Sequence, residues 1–290
     1  MLADVLCHDV SPLDEQYPAT LVPLTFESHG QQLVGRVLVA QGTGPHPTIL
    51  LLHGFPRDEQ NGDLAHIFRR AGWSVMTFHY RGAWGSQGSF SFTHVFEDIP
   101  IALDLLWTQE MRKQCRVDAE RIVLIGHSMG GFAALFTAAA DPSLHAVASL
   151  AGFHFGPFAR LLRQDASLIV PTIHDWKTCL PALRGISAEQ LVQEILDQAE
   201  QWTLDQYLDQ LSQRRVFLLA GSRDTVAPPG LHHTPLVAAL EQCSAPRIRS
   251  AILHTDHAFS DARVTLVQHL LSWLDEVKRE AHPTRSSKMV

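Results

Sequence analysis

At 290 residues, with 46% hydrophobic residues and a formal net charge of -7, the chain is long enough to bury one large core and fits a single α/β domain. Its basic residues are scattered along an acidic chain, which argues against a nucleic-acid groove and predicts no polyanionic partner. Met1-Leu2-Ala3-Asp4-Val5 carries no basic stretch followed by an apolar one, and no later segment approaches the roughly 18 uninterrupted apolar residues of a membrane span. The expectation is a soluble, cytoplasmic protein.

In chain order, β-rich runs at 21–27 and 32–39 flank Ser28-His29-Gly30-Gln31 and predict an antiparallel hairpin at a sheet edge. A continuous apolar strand at 48–52 follows. Next come the loop His53-Gly54-Phe55-Pro56-Arg57 and a helix starting at Asn61-Gly62-Asp63. A buried strand is expected at 74–79, then a glycine-rich loop over 81–89. Apolar residues at helical spacing run over 94–109, interrupted by Pro100. Strands at 122–125, 146–150, 216–220 and 247–253 alternate with helices at 132–140, 236–242 and 262–277. Repeated strand-then-helix order predicts an α/β fold with a doubly wound, mostly parallel sheet.

Between Gly152 and Arg215 this alternation stops: no buried strand is evident, and 188–211 has a helical pattern rich in Gln, Asp and Leu. The stretch is too long for a plain connection, so 153–215 is expected to be a helical cap over the strand ends. The core would then comprise 1–152 and 216–290. The polar tail at 282–290 is expected to fray.

Cys7, Cys115, Cys179 and Cys243 lie far apart without a C-x-x-C pair, which points to free thiols and away from a zinc or redox motif. Of seventeen histidines, only His254 and His257 in His-Thr-Asp-His approach ligand spacing, and no third ligand cluster accompanies them. No metal and no cofactor are expected.

The segment richest in chemistry is Gly126-His127-Ser128-Met129-Gly130-Gly131, between the apolar run 121–125 and the helix-prone run 132–140. A serine on such a glycine-pinched strand-to-helix turn is held with its hydroxyl at the carboxyl edge of a sheet. At neutral pH a hydroxyl is a poor nucleophile, so it needs a base within hydrogen-bond reach and a third group to hold that base. Asp224, in Gly221-Ser222-Arg223-Asp224-Thr225, directly follows a buried strand, and His257, in Asp256-His257-Ala258-Phe259, follows the last strand. That serine, acid, histidine order suits a doubly wound sheet whose strand ends carry all three groups. Asp205, Asp256 and His254 are rivals in less suitable places, His254 ending its strand and expected to point into the sheet. His232 and His233 are expected on the surface or in loops. Two amides, of Phe55 after Gly54 and of Met129 at the helix start, are the expected oxyanion donors.

Together, Gly126-His127-Ser128-Met129-Gly130, His53-Gly54-Phe55, the turn at Asp224 and Asp256-His257-Ala258-Phe259 resemble the α/β-hydrolase superfamily, over about Leu21 to Val277. Within it, Tyr80-Arg81-Gly82-Ala83-Trp84-Gly85-Ser86 is similar to a loop of the esterase-like and single-domain acyl-peptidase-like branches. Only about fifty residues precede His53, which leaves no room for the propeller of prolyl oligopeptidases, and a serine stands where dienelactone hydrolases have cysteine. The resemblance therefore implies an esterase-type serine hydrolase.

Loop aromatics Phe55, Trp84, Phe90, Phe92, Phe153, Phe155 and Trp176 suggest an apolar acyl or alcohol group, with His53, Tyr80, Trp84 and Trp176 as candidate substrate contacts. Arg81 is expected to form a salt bridge within its loop. The partner is then a small-molecule ester or amide, and the oligomeric state is open. An aminopeptidase or amidase, with His257 protonating an amine, is the second reading, and a non-catalytic binding module the third. Because His257 must be neutral to act as a base, activity is expected to fall in acid.

Overall fold

The computed structural model describes residues 2–56, 61–243 and 247–279. After a short helix α1 (Leu2–Cys7), strands β1 (Thr20–Ser28) and β2 (Gln31–Val39) form the expected antiparallel hairpin. Its two-residue turn, His29-Gly30, has positive φ at both positions, the backbone twist that tight hairpins favour. Then follow β3 (His46–Leu52), α2 (Gly62–Arg70), β4 (Ser74–Phe78), α3 (Phe92–Trp107), α4 (Gln109–Gln114), β5 (Val117–His127), α5 (Met129–Ala140) and β6 (Ala146–Leu150). The insert contributes α6 (Phe155–Gln164), α7 (Ile169–Lys177), α8 (Ala188–Asp197) and α9 (Leu208–Ser212). The chain closes with β7 (Arg215–Gly221), α10 (Pro229–His232), α11 (Thr234–Gln242), β8 (Ile248–Leu253) and α12 (Arg263–Arg279).

The eight strands make one sheet in the order β1-β2-β4-β3-β5-β6-β7-β8, antiparallel through β1, β2 and β4 and parallel from β4 to β8. Strand residues alternate between its two faces, as the period of two requires. Leu50, Leu52 and Leu124 face a core with α3, α5 and the insert, whereas Ile49, Leu51 and Val123 face a second core with α2 and α12. Burial on both sides explains the unbroken apolar runs Ile49 to Leu52 in β3 and Ile122 to Ile125 in β5.

Two features differ from the sequence pattern. Pro100 does not interrupt α3; it lies on an exposed face, where water can take the carbonyl left without a helical partner. The helical stretch expected over 188–211 is two pieces, because the chain between α8 and α9 turns to bury Ala199, Trp202 and Leu204, and the Trp202 carbonyl accepts the Gly156 N–H at 2.8 Å. α8 begins at Ala188 because Ser187 and Gln190 form a capping box. Between β6 and β7 the insert forms helices and no strand of its own, and it shares its apolar core with α3 and α5.

Arg81 corrects a further expectation. Its partners lie on α3, not in its own loop: Nε donates to Asp98 at 2.6 Å, its backbone N–H donates to the other Asp98 oxygen at 2.8 Å, and Nη2 reaches Glu97. Ser28 also donates to Asp98, so the buried carboxylate is saturated and ties β1, the loop after β4 and α3 together. The polar tail at 282–290 lies outside the described residues.

Candidate active site

Ser128 joins β5 to α5 with φ 56° and ψ -121°, a conformation that a side-chain-bearing residue rarely adopts. Its surroundings over-determine it. A Cβ on Gly126 would lie 1.9 Å from the Gly130 carbonyl oxygen, so only glycine lets the strand pass the helix this closely. The Ser128 N–H donates to Leu150 at 2.8 Å, and its carbonyl accepts from Phe153 at 3.0 Å. Met129 opens α5, so its N–H belongs to the first-turn amides that lack an intrahelical acceptor, at the positive end of the helix dipole.

The turn after β7 carries Asp224, whose side chain is fully buried. One carboxylate oxygen accepts the amides of Val226 and Ala227 at 2.8 Å each, and the other accepts from His257 Nδ1 at 2.7 Å. Burial alone would raise this carboxyl, but the hydrogen bonds from His257 and from the two amides outweigh it and hold it below the ordinary carboxylate range. With its Nδ1 proton given to an acceptor-only group, the neutral ring presents the lone pair of Nε2. Ser128 and His257 line one cavity of about 680 Å³. No hydrogen bond joins their side chains among the described residues, and such contacts tighten when substrate binds.

His127, inside the serine motif, supports the histidine loop. Its ring lies 4.9 Å from that of His257, and its Nε2–H donates to the His257 carbonyl at 2.9 Å. Burial, followed by the nearby His257, lowers His127 to about 3, so it stays neutral with its one proton on the nitrogen that makes this bond.

Of the expected contacts, Phe55, Met129 and Trp176 line the space around Ser128. His53, Tyr80 and Trp84 do not line it. Tyr80 is fully buried and donates its hydroxyl to the His53 carbonyl at 3.2 Å, His53 Nδ1–H donates to the Gly54 carbonyl at 2.7 Å, and Trp84 packs its ring 4.7 Å from His53. These three brace the loop that presents Gly54 and Phe55 from below. Burial keeps His53 neutral, lowered to about 3. Phe90 lies off the cavity, Phe153 lines it, and Phe92 and Phe155 line a smaller space that adjoins it at Ser128.

Of the rival groups, Asp205 sits in the insert beside Thr203 and Arg160, away from Ser128, whereas Asp256 lines the cavity but accepts the Ser260 N–H and, among the described residues, makes no bond to the His257 ring. His254 is exposed and bonded to Ser222, pointing outward and not into the sheet, because the strand end leaves it on the solvent side. His232 and His233 are buried, not on the surface: the His154 N–H donates to His232 Nδ1 at 2.9 Å, and His233 Nε2 meets Ser250 at 3.1 Å. Burial lowers both to about 4. Sequence reasoning also missed Phe158, Thr172, Asp175 and Cys179, which line the cavity from the insert, and Arg223, Thr225 and Val226, which flank Asp224. Adjacency to Asp224 could have found the last three. The insert residues carry no local signal.

Among the described residues no group of three or more His, Cys, Asp or Glu side chains is placed to hold a metal ion, no disulfide joins the four cysteines, and no helix is long and apolar enough to cross a membrane.

The alpha/beta hydrolase family profile matches residues 49–280, from the central strands to the last helix. The chain belongs to the alpha/beta hydrolase family. This alpha/beta hydrolase is 32% identical over 123 residues to an uncharacterized 31.7 kDa protein of Escherichia coli from a traX-finO intergenic region, an alignment spanning 41% of each chain. Among solved structures, it is similar to 2,6-dihydroxy-pseudo-oxynicotine hydrolase, with TM-score 0.67, 20% identity and coverage of 94% of this chain and 72% of the other. It is also similar to a thermostable carboxyl esterase of Bacillus coagulans, at TM-score 0.68 and 14% identity over 89% of this chain and 99% of that one. A Pyrococcus horikoshii acylaminoacyl peptidase gives TM-score 0.68 and 14% identity over 92% of this chain and 43% of that one. At such identities the likeness is one of fold.

Proposed function

We propose that this alpha/beta hydrolase is a serine hydrolase that cleaves carboxylic esters of small to medium apolar acyl groups. The observation that carries the proposal is the 2.7 Å bond from His257 Nδ1 to buried Asp224, with His257 and Ser128 facing one cavity. Family membership supports hydrolytic chemistry, and the apolar rings of Phe55, Phe153, Phe158 and Trp176 in that cavity support an apolar substrate group.

In the first step Ser128 Oγ attacks the ester carbonyl carbon as His257 Nε2 takes its proton, and the carbonyl electron pair moves onto oxygen. The amides of Phe55 and Met129 hold that oxyanion, each donor contributing about 3 kcal/mol in the transition state. As the tetrahedral species collapses, the C–O bond to the alcohol breaks and His257 hands its proton to the departing oxygen. Water, deprotonated by His257, then attacks the acyl-enzyme and releases the acid and Ser128. Asp224 keeps the ring oriented and stabilises the imidazolium throughout. No cofactor enters any step. The 153–215 insert acts as a cap whose α6 and α7 wall the cavity.

The test is initial-rate turnover of p-nitrophenyl esters beside alanyl p-nitroanilide, with Ser128→Ala as control. Ester cleavage that depends on Ser128, with little anilide cleavage, is expected. Comparable anilide cleavage would replace the esterase reading with the aminopeptidase or amidase one, and ester turnover by Ser128→Ala at the wild-type rate would overturn the mechanism.

A further inference from the structure

Two spaces meet at Ser128, and they are unlike. The wider, about 680 Å³, contains His257 and polar side chains including Thr172, Asp175 and Arg223. The narrower, about 50 Å³, is walled by Phe55, Phe92, Met129, Phe153, Phe155 and Trp176, and His257 does not reach it. This difference decides where the two halves of an ester must lie. The departing alcohol oxygen takes its proton from His257, so the alcohol lies on the histidine side, in the wide space. The acyl chain, the other substituent of the same carbonyl carbon, is then directed into the narrow one.

The narrow space is small in chemical terms. A cavity of about 150 Å³ lined by aliphatic and aromatic residues admits benzene, so one of about 50 Å³ admits only a short aliphatic chain. Its walls resist expansion. The Phe92 and Phe155 rings meet at 4.7 Å and are almost fully buried, and the Phe92 N–H donates to Glu194 of α8 at 3.0 Å, which ties this wall to the insert. Trp176 and the more exposed Val226 complete the lining, the Trp176 ring 5.5 Å from Phe55 and 5.8 Å from Phe92. Trp176 is only part-buried, so it can be truncated with less damage to the core.

We infer that the acyl group is short, roughly two to four carbons, and that the alcohol is the larger and more polar half of the substrate, with Trp176 setting the upper limit on acyl length. This inference rests on the serine-hydrolase reading and narrows it. A pocket that admits one methylene fewer discriminates by about tenfold or more, which makes chain length a sensitive probe.

The experiment measures kcat/KM for p-nitrophenyl acetate, butyrate, hexanoate, octanoate and laurate, on wild type, Ser128→Ala and Trp176→Ala, with a fluorophosphonate probe to count reactive serines. The expected result is a wild-type maximum at acetate or butyrate, a fall of about tenfold or more by octanoate, and a shift of the maximum toward hexanoate or octanoate in Trp176→Ala. A Ser128-dependent wild-type rate that rises from butyrate to octanoate would overturn the short-acyl inference while leaving the serine-hydrolase reading intact. Absence of both Ser128-dependent turnover and Ser128 labelling would overturn the serine-hydrolase reading and the inference with it. The wild-type series decides the question even if Trp176→Ala fails to fold.

Discussion

The floor of the cavity comes from strand ends: Ser128 after β5 and His257 after β8, the latter bonded to the buried Asp224 that follows β7. Its outer wall comes from α6 and α7 of the insert, through Phe158, Thr172, Asp175 and Trp176. On the floor every group is fixed by backbone constraint: a positive φ at Ser128, two amides on Asp224, and a carbonyl of the histidine loop held by His127. On the wall the side chains are half-buried or exposed, and their elements are short helices joined by 3₁₀ turns at Ala166–Leu168 and Leu180–Ala182. Chemistry needs fixed geometry, whereas a substrate wall can change residue by residue without disturbing the reacting atoms.

If this division is right, substitutions on the floor cost rate far more than substitutions on the wall. Ser128→Ala is expected to lower kcat/KM by about 10⁴-fold or more, with the thermal transition nearly unchanged; His257→Ala should lose as much, and the double variant little further. Asp224→Asn is expected to cost about 10³- to 10⁴-fold, because the amide offers His257 the wrong hydrogen-bond partner and orientation. A loss confined to KM in either case would break the assignment of these groups to the transition state.

His127 sharpens the comparison at a residue that touches no substrate atom in the proposed mechanism. His127→Leu removes the bond to the His257 carbonyl and is expected to lower kcat by about 10²-fold with little change in KM, the scale of a small misplacement of a reacting group. His127→Gln, which keeps a donor, is expected to recover much of that rate. Equal activity in Leu and Gln variants would contradict the positioning role.

Acid should act through buried groups near the strand ends as well, most visibly in stability. His232 and His233 have values lowered by burial to about 4 from the ordinary 6.5. The folded protein therefore binds fewer protons than the unfolded chain in that interval, and their contribution is full above about pH 6.5 and lost as the pH falls toward 4. Asp224, held below its ordinary range, adds a further loss at still lower pH. Thermal unfolding followed from pH 7.5 to 4 is expected to show a steadily falling Tm; a Tm constant to pH 4.5 would mean that these rings are not buried neutral.

The smallest effects are expected on the outer wall. Asp175→Asn and Thr172→Val change exposed or half-buried groups and should alter KM for polar alcohols by only a few-fold, about 1 kcal/mol or less, with kcat for p-nitrophenyl acetate unchanged.

The same contrast governs what could be read from the sequence. The buried strands were legible because the sheet is covered on both faces, which forces unbroken apolar runs such as Ile49 to Leu52. The serine turn was legible because close approach demands glycine, and the Asp224–His257 pair because each residue follows a strand. His232 and His233 were misjudged because their burial comes from packing against the β6 and β7 ends, which no local pattern announces. Arg81 found its carboxylates on a helix, sixteen and seventeen residues away, a pairing that spacing does not encode. Phe158, Thr172 and Asp175 were illegible for the same reason: they become neighbours of Ser128 only when α6 and α7 settle across the strand ends.

The most direct test of the central claim is mass-spectrometric mapping of a fluorophosphonate adduct on the folded protein, with His257→Ala in parallel. The account predicts one adduct, on Ser128, formed rapidly in wild type and scarcely at all without His257. Wild-type protein that stays unlabelled at Ser128 while it hydrolyses esters, or labelling that proceeds equally in His257→Ala, would contradict it.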